Sequence, residues 1–195
     1  MERIFIKFFI SCMMFLFIST PTQAAETFNL DPQHTYVLWR IKHLGFSTQT
    51  GKWYVSGTLV LDKENLKNSK VNATIQVADI VTGIPELDKH LKGKLFFDVA
   101  QFPTATFVSD KVEVTGKDTA KVHGILKVHG ISKPVILDVK FNQAAINPIS
   151  DKMTAGFSAT TNIKRSDFGI TTLLPGLADD VNLNIETEAF KLTPQ

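Results

Sequence analysis

Residues 122–141 alternate in phase on both sides of one turn, and this alternation restricts the chain to paired strands. Val122, Gly124, Leu126 and Val128 fall on one face, with His123, Ile125 and Lys127 on the other. Past His129-Gly130-Ile131-Ser132-Lys133-Pro134, the residues Val135, Leu137, Val139 and Phe141 share a face opposite Asp138, Lys140 and Asn142. Gly and Pro in the connection supply the backbone freedom and stiffness that turns use. A period of two over such lengths means strands with one buried and one wet face, whereas a helix repeats every ~3.6 residues.

The same pattern runs along most of the chain. Further candidate strands cover residues 35–43, 51–61, 71–77, 105–108, 112–115, 156–163 and 181–189. With the hairpin's two strands these are nine stretches for a sheet of about eight strands, an ordinary size. Only residues 85–93 read as helix: Pro85 opens it, Glu86 and Asp88 occupy its first turn, Lys89 and Lys92 lie near its end and Gly93 stops it. The fold class is all-β with one short helix. Short connections between antiparallel strands allow a sandwich or a barrel. Closure into an eight-stranded antiparallel barrel removes exposed edges, and its interior is just large enough to be filled or to hold one small ligand.

The first 24 residues have the character of a leader. Arg3 and Lys7 form a short positive region, the run 8–18 is apolar, and Thr22-Gln23-Ala24 offers small residues for cleavage before Ala25. The run is shorter than the ~20 residues a spanning helix needs. The domain division is therefore a signal peptide, 1–24, and one exported β-domain, 25–195. Cys12 is the chain's single cysteine and leaves with the leader, so the mature domain has no disulfide and its stability rests on its core. The net charge is +2 and stays near balance once Glu2, Arg3 and Lys7 are removed. This argues against a polyanion surface and against nucleic acid.

The inward set is rich in Val, Leu, Ala and Ile, and of the chain's 15 Phe all but the five in the leader belong to the mature domain, against 2 Tyr. An enclosure lined this way is dry and suits an apolar tail. Composition leaves a filled core and a hollow one equally open.

Several short stretches, taken in order, resemble one family. Asp31-Pro32-Gln33-His34-Thr35, His43-Leu44-Gly45-Phe46 and Gly51-Lys52-Trp53 read like the opening of the YceI-like family of bacterial periplasmic proteins. Asp88-Lys89-His90-Leu91, Phe96-Phe97-Asp98-Val99, the run 102–107, the run 124–135, Asn162-Ile163-Lys164-Arg165-Ser166-Asp167-Phe168-Gly169-Ile170 and Asp180-Val181 continue the match across the mature chain. The resemblance implies a single extended, lipocalin-like barrel. It also implies a carrier that holds a polyisoprenoid or similar long-chain amphiphilic lipid in its lumen, rather than a catalyst. Family members often carry Arg where this chain has Leu87. Without that fork donor the resemblance favours a neutral or quinone-like head group over a phosphorylated one.

Phase and residue type place Trp39, Ile41, Phe46, Trp53, Leu91, Phe97, Phe107, Phe157 and Phe168 in or near the lumen. His43, Asp88, His90 and Arg165 are candidates for its mouth. Arg165 and Asp167 flank Ser166, and an ion pair between them would fix the loop after the 156–163 strand. The five histidines show no metal-ligand spacing, so no metal site is expected. There is no Gly-x-Ser-x-Gly elbow, mature cysteine nucleophile or phosphate loop, and no enzyme activity or cofactor is expected beyond a bound isoprenoid lipid or quinone. A second reading is an accessory protein that hands a quinone to a membrane cytochrome, with transient contact at the membrane. A third is a barrel with a filled core and no ligand.

Overall fold

In the computed structural model, which describes residues 25–192, the alternation becomes ten antiparallel strands and one α-helix. In chain order these are β1 (Glu26–Leu30), β2 (Tyr36–His43), β3 (Ser47–Tyr54), β4 (Ser56–Leu61), β5 (Lys70–Gln76), α1 (Pro85–Leu91), β6 (Thr104–Val114), β7 (Thr119–Val128), β8 (Ile131–Ile146), β9 (Met153–Lys164) and β10 (Leu177–Lys191). The leader, its cleavage point after Ala24 and Cys12 lie outside the described residues.

The strand order β1-β4-β5-β6-β7-β8-β9-β10 closes on itself because β1 also pairs with β10. Eight strands therefore form a closed antiparallel barrel. β2 and β3 are additional, and they lengthen its wall. β1 pairs with Ala189–Lys191 at one end of a β10 edge, and β2 with Leu177–Glu186 along the rest of that edge. The two are one path along β10, interrupted at residues 31–35. The β3–β4 path is interrupted in the same way at Val55, which splits the single strand expected over 51–61.

The sequence Asp31-Pro32-Gln33-His34-Thr35 makes the first interruption tolerable. Asp31 Oδ1 accepts the Gln33 N–H at 2.9 Å, and its Oδ2 lies 2.9 Å from His34 Nδ1. The Asp31 N–H and the Thr35 hydroxyl both donate to the Glu188 carbonyl, at 2.8 and 2.9 Å. Thr35 is 1% exposed. Backbone groups that leave the ladder are thereby satisfied on β10 rather than left bare.

Three local expectations change. β1 is a strand that the sequence reading did not contain. The stretches 105–108 and 112–115 are one strand, β6, with a register irregularity between Ser109 and Lys111. Buried Ser109 there accepts the Val71 N–H through its hydroxyl at 2.8 Å. The connection 129–134 shrinks to His129-Gly130, with φ of 50° and 75°, a two-residue hairpin turn of the kind that matches strand twist. Pro134 then lies inside β8. It is accommodated because β9 pairs with β8 only from Asp138 onward, so the missing N–H falls on an unpaired stretch of edge.

The two ends of the barrel differ. The helix end carries α1, the β2–β3 tip, the His129-Gly130 turn and the 165–176 connection. The turn end carries the connections 62–69, 115–118 and 147–152. Packed clusters sit toward both ends. Trp39, Trp53, Leu91, Phe96 and Ile170 are among the residues of one, and Phe28, Leu30, Val55, Leu61 and Ala189 among those of the other.

The closing seam carries its own charge cluster. Glu26 at the start of β1 meets Lys191 at the end of β10 at 2.6 Å and Lys63 beyond β4 at 2.8 Å. The Lys191 bond, followed by that from Lys63, holds this carboxyl down to about 2 despite partial burial. A depressed carboxylate stabilises the fold fully above its ordinary pKa, and that contribution fades as pH falls toward the folded value. Urea unfolding between pH ~4.5 and ~2 should therefore show wild-type stability falling more steeply than that of Glu26→Gln. Parallel curves would mean that these ion pairs do not support closure.

Candidate functional site

Between the packed ends the barrel is hollow. The lumen is a cavity of about 1000 Å³, at the upper end of the range for small-molecule sites. Its walls follow from the period of two. Val122, Leu126 and Val128 of β7 and Val135, Leu137, Val139 and Phe141 of β8 all face it, while Lys127, Asp138 and Lys140 alternate to the outside. The inward positions of β7–β10 are mostly Val, Leu, Ile, Ala and Thr, which are too short to meet across an eight-stranded barrel. The larger rings gather nearer the ends. This distribution, rather than any loop, leaves the middle open.

Of the lumen candidates, Trp39, Ile41, Trp53, Leu91, Phe97, Phe107, Phe157 and Phe168 line the cavity. Trp39 and Trp53 lie with ring centroids 6.2 Å apart, and Phe97 stands edge-on to Trp53 at 5.2 Å. The Trp53 indole donates to the Val77 carbonyl at 3.0 Å, which fixes its ring against the wall. Phe107 packs where Gly124 leaves room: a Cβ at that glycine would come within 2.6 Å of the ring. Phe46 is the exception. It follows the Leu44-Gly45 turn at the β2–β3 tip and is 90% exposed, outside the lumen.

The mouth candidates separate. His43 and His90 line the cavity at the helix end, with the His90 ring edge-on to Phe96 at 5.1 Å. Asp88 does not line it. Its carboxylate accepts the Thr82 N–H at 2.8 Å and the Thr82 hydroxyl at 2.6 Å, bracing the approach to α1. Leu87 lines the cavity and packs against the helix-end cluster.

Arg165 lines the cavity and fixes the connection after β9, but through partners other than the expected one. No ion pair to Asp167 forms. The guanidinium is buried and donates to four carbonyls instead: Nε to Ala178 at 2.8 Å, Nη1 to Ile170 at 2.9 Å and Thr172 at 2.8 Å, and Nη2 to Leu177 at 2.9 Å. Burial pushes its pKa down while Asp179 opposes the shift; arginine remains charged throughout. Asp179 in turn accepts the Ser166 N–H at 2.9 Å and hydroxyl at 2.7 Å. One fork of donors thus gathers the connection that caps the helix end, where Phe168 and Ile170 are buried.

Sequence reasoning also missed part of the lining. The inward aliphatic residues of β7 and β8 belong to it, and the alternation itself displays them. Lys63, Lys70 and Lys117 line the cavity at the turn end. Val114 and Phe141, which keep much accessible surface, also line the cavity toward that end. At the other end Leu173 is likewise both exposed and part of the lining.

Comparison with known proteins agrees with this architecture. A family model described as the YceI-like domain matches residues 28–189. Protein YceI of Salmonella arizonae is 37% identical over 179 residues, spanning 90% of this chain and 93% of the relative. Among solved structures, the Campylobacter jejuni YCEI protein superposes with a TM-score of 0.70 at 34% identity, covering 78% of this chain and 90% of that one. Burkholderia cenocepacia BcnA gives 0.74 at 24% identity, over 82% and 98% of the two chains. A polyisoprenoid binding domain from Saccharophagus degradans gives 0.65 at 14% identity, over 85% and 98%, a likeness of fold.

Replacing Arg165 should loosen the cap without opening the barrel. Arg165→Met strands four carbonyl groups, with an expected loss of about 3 kcal/mol in unfolding free energy. Hydrogen exchange should rise at amides in 170–177 and stay unchanged in β6–β8. Arg165→Lys should recover little, because an ammonium does not reproduce the planar fork. Full stability in Arg165→Met would refute the capping role.

Proposed function

This chain belongs to the YceI-like family, and on that footing we propose that it is an exported carrier that holds a long-chain amphiphile, a polyisoprenoid or a close analogue, in the barrel lumen. The observation that carries the reading is the cavity: about 1000 Å³ of space within the barrel, with walls that are almost entirely aliphatic and aromatic. Each CH₂ transferred from water into such a space contributes roughly 0.8 kcal/mol, so a long tail supplies most of the affinity even after the costs of ordering it. Few polar groups reach the lumen, and these select the head.

The charged and imidazole groups of the lining divide between the two ends. His43 and His90 stand at the helix end, whereas Lys63, Lys70 and Lys117 stand at the turn end. A binding role uses such separated groups; a reaction centre needs them within hydrogen-bond reach of one another. The packing of Leu87 at the helix end favours a neutral head group there, and a quinone is the redox-active version of that cargo. Export to the periplasm by the 1–24 leader, and delivery of cargo at a membrane, belong to the same reading. The Saccharophagus domain, described as binding polyisoprenoids, shares the fold in which this reading places the lipid.

Native mass spectrometry of protein purified from the periplasm, followed by organic extraction, tests the proposal. A discrete added mass that extracts as a prenyl lipid or quinone is expected. A mass that stays that of the bare chain after incubation with such lipids would refute the carrier.

Phe157→Asp provides the matching control. It sets a carboxylate on the lumen wall beside Phe141, whose ring lies 5.5 Å away. Desolvating that charge should weaken prenol uptake at least about tenfold while circular dichroism remains that of a folded barrel. Unchanged uptake would remove Phe157 from the binding surface.

A further inference from the structure

Three segments distant in sequence meet at the helix end: the β2–β3 tip (42–49), the run after α1 (92–97) and the second half of the β9–β10 connection (171–176). His43 pairs with Leu177. A Cβ on Gly176 would lie 3.1 Å from the Leu44 side chain, and the Thr172 hydroxyl donates to the Leu95 carbonyl. Their exposed side chains therefore form one patch. Phe46, Leu95 and Leu173, the last two 63% and 58% exposed, stand out from it together with Leu44 and Leu174. The same three segments contribute Lys42, Lys92 and Lys94, and Asp98, whose N–H donates to the Gly93 carbonyl, is the carboxylate that borders them.

The backbone adds an independent sign. Leu44 and Leu173 have φ of 52° and 62°, in the left-handed region that leucine normally avoids. The other non-glycine residues there, among the described residues, are Asp98, His129 and Asp151, types that tolerate it. Two exposed leucines are thus held outward at one patch, against local preference. At the turn end each connection interleaves its charges, Lys63, Lys67, Lys117 and Lys152 with Asp62, Glu64, Asp118 and Asp151, and exposed Ile149 lies beside Asp151.

We propose that the helix-end patch docks on an anionic lipid bilayer, with Phe46 and the leucines entering the head-group layer and the three lysines facing lipid phosphates. Bulky apolar side chains ringed by cations are the arrangement that adsorbs to such a surface, and an acidic protein face would leave the leucines without a counterpart. Among the described residues no helix is long and apolar enough to cross a membrane, so attachment at this patch is peripheral. Leu173 and His43 also line the lumen, which makes the docking surface continuous with the cavity. The inference builds on the carrier reading, since it supplies the surface at which a lipid would be exchanged.

The test is flotation of the mature chain, stripped of lipid, with vesicles of phosphatidylglycerol and phosphatidylethanolamine or of phosphatidylcholine alone. Partitioning should be at least about tenfold stronger to the anionic vesicles and should weaken with added salt. Phe46→Asp with Leu95→Asp should abolish it, as should Lys42→Glu with Lys94→Glu; Ile149→Asp should not. Equal binding to both vesicle types would overturn the proposal, as would loss of binding in Ile149→Asp alone. Self-association or capture of an acidic protein by a chain that ignores both vesicles would also overturn it. Because flotation uses stripped protein, failure of the extraction experiment refutes the carrier and leaves docking to stand or fall on these vesicles.

Discussion

Closure of the sheet is the constraint on which everything else depends. When β1 returns to β10, every strand of the ring gains two neighbours, and the backbone groups of a β-wall find partners without a second sheet. Closure fixes an inside and an outside, so the two-residue period becomes a radial code. It also fixes how far apart facing walls stand, which decides how large the inward side chains must be to meet. The Glu26 cluster and the knot of Asp31 and Thr35 on Glu188 are local devices serving this one requirement: they hold two interrupted strands against a single uninterrupted one.

Hollowness then follows from where the large rings fall. Trp39, Trp53, Phe96, Phe97 and Phe168 fill the helix end, and Phe28 with Leu61 and Ala189 packs near the closing seam. Between them the wall is built from β-branched and small residues. Replacing such positions by rings would close the space, and the fold would lose its cavity with little change in topology. The capacity to hold a tail is thus a property of side-chain size along β7–β10, set on a scaffold that would tolerate the filled alternative. Arg165 has the complementary task. By collecting four carbonyls with one buried fork, it lets an irregular connection lie over the barrel end without leaving backbone acceptors bare.

Periodic features were legible in the sequence, and features that depend on three-dimensional neighbours were not. The 122–141 hairpin and the helix opened by Pro85 follow from spacing, which by itself allows sandwich or barrel. Trp39, Ile41, Trp53, Phe107 and Phe157 face the cavity because phase determines facing along a strand, whereas Leu91, Phe97 and Phe168 reach it from the helix and the connections. β1 was missed because five residues beside a leader give the alternation too little length to register. Pro134 masked the start of β8, since nothing local tells a proline that half of its strand has a free edge. Phe46 was misplaced because a turn breaks the phase at Leu44-Gly45. Arg165 was paired with Asp167 on proximity along the chain, whereas its acceptors are main-chain carbonyls, which carry no sequence signature.

The same reasoning explains why near-neutral charge gave an incomplete picture of the surface. Whole-chain balance excludes a general affinity for polyanions, because that requires an excess spread over the molecule. A docking face needs only a local excess. Here that excess is divided among 42–49, 92–97 and 171–176, each too short to stand out alone. Barrel topology brings the three tips to one end, where their three lysines outnumber the one bordering carboxylate, Asp98. Net charge is a sum over residues, but adsorption is governed by the field at one face, and only the fold decides which residues contribute to it.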